Sequence, residues 1–225
     1  MIMPKPKPRL DAKAGVASPL GVAISVGDRE TLSMVRQAID TKRLRLAYQP
    51  VVLARVPDLR LSINMSARSI GYARWMQTLR RGLSVAPTIG ERLILEISES
   101  SAMQVPELVV AFMDDLKSAG VAFALDNFGS GNMAIRYFKD FYFDILKLDG
   151  QFIRNIHQDA DNQVLTAALL SIGQHFQMFT VAQAVETAAD AQMLQTMGVD
   201  CMQGYLFGAA TLKPAFDRNA ARKSA

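Results

Sequence analysis

Six short apolar segments of this chain each end in a polar or charged residue. They are Asn64 in LSINMS, Glu96 in LILEISES, Asp126 in FALDNFGSG, Lys147 and Asp149 in ILKLD, Glu186 in VAQAVET, and Gln203 in CMQGYLFG. A carboxylate or ammonium at the end of an apolar strand is costly unless it is paired or ligated. Strand ends that all carry such groups suit one architecture above others, a barrel whose strands share a polar mouth. The mouth also looks incomplete, because Asn127 and Gln183 are neutral amides where the neighbouring spacing invites charge. The pattern is that of a ligand pocket without the full chemistry.

Between these segments lie helical stretches. PELVVAFMDDLKSAG is opened by Pro106 and closed by Gly120, residues suited to helix start and stop. Further helices are expected at 69–81 (with Trp75 and Leu79 on one side), near 132–139, at 159–175 and at 188–197, the last ended by Gly198. Strands alternating with helices, and strands that are almost wholly apolar, argue a parallel sheet covered by helices. The expected fold class is therefore α/β, a TIM-like barrel modified or incomplete near residues 52–61. There the link LARVPDL, between LRLAYQPVV and LRLSINMS, is shorter than the crossover of about a dozen residues that adjacent parallel strands need. Either the barrel is broken there, or the two strands are not neighbours, or residues are missing from the series. Residues 1–19 read as a loose Pro-, Lys- and Ala-rich lead-in, 20–210 as the barrel and 211–225 as a tail. GVAISV at 21–26 is a further strand candidate, followed by a helix that Asp28 would cap.

Half of the 225 residues are apolar and a fifth are charged, a composition for one globular core. The net charge of +4 is carried largely by MIMPKPKPRL and RNAARKSA. These read as solubilising ends, and no nucleic-acid partner is expected. The single cysteine, Cys201, excludes an intrachain disulfide and lies in an apolar segment, as a reduced core residue would. With no membrane-length apolar run and no signal-peptide core, a cytoplasmic location is expected, within a larger or membrane-associated protein.

Spacing places Lys147 and Asp149 on one strand face, and likewise Ser62, Asn64 and Ser66. Carboxylates and amide oxygens at strand ends are hard ligands, suited to magnesium, manganese or calcium. Paired metals of that kind serve phosphodiester hydrolysis, with a lysine orienting water or offsetting phosphate charge. Plainer readings stand beside these. Asp126 and Asn127 start the turn DNFGSG, Asn64 is a satisfied strand-end amide, Lys147 forms a structural pair with Asp149 or Glu96, and Glu186 opens the last helix. Glu99 caps the segment before Pro106 or lies at the rim, and His157 and His175 read as surface or helix-side residues.

In order, YQPVV, LSINMSARS, LILEISES, ALDNFGSG, DILKLDGQFI, VAQAVET and MQGYLFG resemble the EAL-domain family, the cyclic di-GMP phosphodiesterases and their inactive relatives. The resemblance spans roughly residues 42–210. It implies a TIM-like barrel, often with one antiparallel strand, and a homodimer through the region near Asn127–Phe138. It implies metal ligands at Asn64, Glu96 and Asp126, a catalytic lysine at Lys147, and an acidic position at Glu186. Gln49, Asn64, Asp126, Asn127, Asp149 and Gln203 would line the bound nucleotide. The chain also departs from the family. The signature Glu-Ala-Leu strand and the long segment around it are absent, the second aspartate of the acidic pair is Asn127, and the E-G-V-E motif begins with Gln183 and Ala184. Losing ligand charge weakens divalent binding and the ionisation of bound water. Glu96, Lys147 and Glu186 are thus read as vestigial, with no cofactor required and at most weak binding of magnesium, manganese or calcium. The expected function is a catalytically inactive domain that serves as a cyclic di-GMP receptor in bacterial signalling, with a protein partner. The alternatives are a ligand-independent interaction scaffold and a residual phosphodiesterase.

Overall fold

The structure is a computed structural model that describes Gln37, Gln49, Val52, Leu53 and residues 60–85, 87–131 and 135–211. The chain divides into two compact units, Met1–Arg45 and Leu46–Ala225. Of the first, only Gln37 is described, exposed and helical. The expected lead-in, the 21–26 strand, the Asp28 cap and the tail beyond Thr211 lie outside the described residues.

Among its described residues the second unit holds one seven-stranded sheet. Its strands are β1 (Val52–Leu53), β2 (Leu61–Met65), β3 (Leu93–Ser98), β4 (Ala122–Phe128), β5 (Ile145–Leu148), β6 (Phe179–Ala182) and β7 (Cys201–Met202). The order is β1-β7-β6-β5-β4-β3-β2, and every pairing is parallel except β1 with β7. The helices are α1 (Ala73–Val85), α2 (Glu99–Ala102), α3 (Pro106–Lys117), α4 (Gly150–Ile153), α5 (Ala160–His175) and α6 (Ala188–Met197). The sheet curls through 182° and stops, a half-open barrel. This resolves the short link after β1: the strands it joins are not neighbours but opposite edges of the sheet, and the barrel stays open between them.

Alternation along each strand sorts the side chains into two faces. Leu95, Ile97, Leu125, Leu146 and Leu148 point one way and are wholly buried beneath helices that contribute Val109, Phe112, Met113, Leu170 and Leu194. Each such side chain contributes roughly 1.5–3 kcal/mol on leaving water. Phe112 meets Phe123 edge-on, and Phe138 joins Phe128 to Phe176. The polar strand-end residues belong to the other face.

Helix boundaries follow local chemistry. Pro106 opens α3, and Gly198 closes α6 in the left-handed conformation that glycine accepts without strain. The helix expected at 69–81 is two pieces, a 3-10 turn over Ala67–Gly71 and α1. The Ser66 hydroxyl accepts from the Arg68 amide at the first, and extended Tyr72 separates them. Within the stretch expected as a helix at 132–139, the described part, Ile135–Lys139, is also a 3-10 turn. Cys201 is buried and free, and burial together with the Asp200 charge pushes its thiol up to about 11. No described helix is long and apolar enough to cross a membrane.

Candidate ligand site at the strand ends

A bulge in β4 builds the centre. Leu125 pairs with Leu146 and Phe128 with Leu148, so Asp126 and Asn127 together oppose Lys147. Asn127 takes the extra position with φ 54°, a left-handed conformation that asparagine tolerates better than most residues. Adjacent strands complete the row: Ser98 is in register with Asp126, and Asn64 with Glu96.

Lys147 is only 4% exposed. Its Nζ lies 2.7 Å from Glu96 Oε2 and 3.4 Å from Asp126 Oδ1. Of the two structural partners open to it, Asp149 and Glu96, the ammonium takes Glu96 and adds Asp126. The remaining carboxylate oxygens also have donors. The Ser62 hydroxyl donates to Glu96 Oε1, Gln183 Nε2 donates to Asp126 Oδ1 at 2.9 Å, and Asn127 Nδ2 donates to Asp126 Oδ2 at 3.2 Å. Every oxygen of the two carboxylates therefore faces a donor from the chain itself, the condition under which buried charge is tolerated.

A second polar cluster flanks this one. Gln203 Nε2 donates to Gln49 Oε1 at 3.0 Å, and Gln49 Nε2 donates to the Gly208 carbonyl at 3.3 Å. The backbone after β6 interlocks with the backbone after β7: Gln203 N donates to Ala182 O, and Val185 N to Gln203 O. A Cβ on Gly204 would stand 2.1 Å from the Val185 carbonyl oxygen, so this approach needs glycine. Gln183 Oε1 and Gln203 Oε1 are buried without a hydrogen-bond partner.

The other expected site residues are placed as follows. Asn64 is exposed at the end of the edge strand β2. Asp149 caps α4, its Oδ1 accepting from Gln151 N at 2.8 Å. Glu186 is exposed, 3.7 Å from the Arg154 guanidinium, while the cap of α6 is Thr187 rather than Glu186. The structure thus brings Glu96, Asp126, Asn127 and Lys147 together and joins Gln49 to Gln203. Among the described residues, the side chains of Asn64, Asp149 and Glu186 make no hydrogen bond or ion pair with that network.

Two features escaped the sequence reading. Glu99 is not at the rim but 2% exposed, and its Oε2 accepts from the amides of Gly129 and Gly131 at 2.9 and 3.2 Å, which pins the loop after β4. An acid seven residues before Pro106 gave no signal of that. His157 is not a lone surface histidine: its Nδ1 lies 2.7 Å from buried Asp190, which also accepts from Thr187 Oγ1 at 2.7 Å. Burial pushes the Asp190 carboxyl up, but the bonds from His157 and Thr187 outweigh it and hold the group below the usual carboxylate range.

Residues 53–210 match the EAL domain family. The chain belongs to that family. The EAL domain is 30% identical over 151 residues to the bifunctional diguanylate cyclase/cyclic di-GMP phosphodiesterase MucR of Pseudomonas aeruginosa, a match covering 67% of this chain and 22% of MucR. It is 31% identical over 155 residues to the cyclic di-GMP phosphodiesterase PdeF of Escherichia coli, covering 69% of this chain and 21% of PdeF. The EAL domain thus spans about a fifth of the length of these relatives. Among solved structures, the MucR phosphodiesterase in complex with c-di-GMP matches with TM-score 0.72 at 24% identity, over 83% of this chain and 98% of that one. The c-di-GMP-bound FimX EAL domain of Pseudomonas aeruginosa matches with TM-score 0.73 at 19% identity, over 82% and 97%. The fold is therefore shared as closely with the FimX domain as with the MucR phosphodiesterase.

The EAL family implies divalent metal, and the donor set here does not fit it. Among the described residues, no group of three or more His, Cys, Asp or Glu side chains is placed to hold an ion. Glu96 and Asp126 spend their oxygens on Lys147, Ser62, Gln183 and Asn127, and the two amides turn nitrogen, not oxygen, toward Asp126. A site that presents N–H groups and an ammonium to its own carboxylates offers a cation little to bind.

Proposed function

We propose that this EAL domain is a cyclic di-GMP receptor that binds the dinucleotide without hydrolysing it. The observation that carries the reading is the division of the mouth into two parts. The centre, Glu96–Lys147–Asp126, is saturated internally, whereas Gln183 and Gln203 keep buried acceptor oxygens unpaired. A buried acceptor without a partner costs roughly 1–3 kcal/mol, and a ligand that supplies N–H or O–H groups, as guanine and ribose do, recovers that cost. Gln49, Asn64, Asp126, Asn127, Asp149 and Gln203 are the residues assigned to the ligand. Support comes from the MucR and FimX structures, each with c-di-GMP bound.

Titration calorimetry with c-di-GMP tests the reading, together with chromatography for the linear product pGpG. Binding at micromolar strength or tighter, near −8 kcal/mol, is expected with no pGpG formed. Gln203→Ala removes one end of the Gln49–Gln203 bond and an acceptor, and is expected to weaken c-di-GMP about tenfold, or 1.4 kcal/mol. Accumulation of pGpG would instead establish the phosphodiesterase.

One observation favours the scaffold alternative. The edge strand β2 leaves Leu61 and Ile63 at 44% and 42% exposed where the sheet stops, a surface suited to protein contact. Absence of heat with folded protein would make that the leading account. A protein partner and a homodimer through 127–138 belong to both readings, and light scattering on the purified domain reports the dimer.

A further inference from the structure

We infer that Asn127 and Gln183 close the strand-end centre to divalent cations, with the Lys147 ammonium as the built-in cation. The orientation of both amides follows from chemistry rather than from choice of atom names. Turning either one would set its carbonyl oxygen against an Asp126 oxygen, at 2.9 Å for Gln183 and 3.2 Å for Asn127. With nitrogen facing Asp126, each amide is a donor to the carboxylate a metal would need. Acids at the same two positions would be acceptors only, add two negative charges, and repel Asp126 unless a cation entered. Lys147 completes the closure, because, itself only 4% exposed, it bridges Glu96 and Asp126 at 2.7 and 3.4 Å. The exclusion stands on this network alone. Its consequence, that c-di-GMP affinity is the same in chelator and in manganese, rests on the receptor reading.

The test uses Mn²⁺ as probe on the full chain and on Asn127→Asp/Gln183→Glu, with binding followed by electron paramagnetic resonance and by thermal melting. Neither substitution strains the backbone, since aspartate also tolerates the left-handed conformation of residue 127 and glutamate matches glutamine in shape. The unaltered protein is expected to show no saturable Mn²⁺ binding below about 1 mM and no rise in Tm. The double variant is expected to bind at least about tenfold more tightly and to melt higher with Mn²⁺ than without. Micromolar Mn²⁺ binding by the unaltered protein overturns the inference. So does a folded double variant that gains no affinity. If the double variant does not fold in chelator, refolding it with Mn²⁺ gives the same answer, because rescue by the ion supports the inference and failure of both it and Gln183→Glu to respond opposes it. A separate c-di-GMP titration in EDTA keeps the two readings apart: no binding there sinks the receptor and leaves the metal exclusion standing.

Discussion

Two acidic networks in this EAL domain solve the same problem with different donors. At the strand ends Glu96 and Asp126 share the Lys147 ammonium. On the helical side Asp190 is gripped by the His157 ring and the Thr187 hydroxyl, which ties the turn Ile156–Gln158 to the start of α6. Both follow from the rule that a carboxylate leaves water only when donors replace it. The first uses a permanent charge and surrounds it with amides that have acceptor capacity left over. The second uses a titratable ring and leaves Asp190 with no unpaired oxygen. The comparison teaches that saturation alone does not mark a site as structural; the surplus acceptors on Gln183 and Gln203 set the mouth apart.

The largest test of that contrast removes the ammonium. Lys147→Met leaves Glu96 and Asp126 buried without their shared cation, and a loss of about 3–5 kcal/mol in urea unfolding is expected. A loss below about 1 kcal/mol would mean that solvent, not Lys147, satisfies the two carboxylates.

A smaller effect separates the networks by pH. The Asp190 carboxyl is held below its ordinary range, so between its folded and unfolded values the unfolded chain binds more protons, and stability rises with pH. Its contribution is complete above the unfolded value, near pH 4, and is lost as pH falls through the folded one. Asp190→Asn is expected to cost about 1–3 kcal/mol at pH 7 and to flatten the acid limb of the stability profile. An unchanged acid limb would remove Asp190 from the account.

The difference in setting also explains what the sequence made legible. The strand-end centre could be read because strands repeat with period two and a charged residue after an apolar run has few places to go, so Glu96, Asp126 and Lys147 are identifiable in the sequence. The openness of the sheet was legible too, in a link after Val52 and Leu53 too short for a crossover. The clasp was not, because His157 and Asp190 lie 33 residues apart with no periodic pattern connecting them. Glu99 was misread for a related reason. Its partners are backbone amides of Gly129 and Gly131, and backbone donors leave no mark in residue identity. The donor role of the amides was likewise hidden: neutral residues at 127 and 183 signalled lost ligands, but only geometry shows their nitrogens turned to Asp126.

The smallest expected effect bears on how that turn is held. Ala184, next to Gln183, has φ 56°, a left-handed conformation that costs a residue with a Cβ roughly 1–2 kcal/mol. Glycine there removes the strain but adds about 0.4–1 kcal/mol of unfolded-state entropy. The Ala184 methyl also packs where a Cβ on Gly150 would come within 2.7 Å, and glycine forfeits that contact. The balance predicts that Ala184→Gly stabilises the domain by up to about 1 kcal/mol, a rise in Tm of about 2–4 °C. If Tm rises while c-di-GMP weakens, the strained alanine serves to hold the Gln183 amide between Asp126 and the ligand. If Tm falls, packing against Gly150 outweighs the strain, and the mouth is held by the same close fit as the rest of the core.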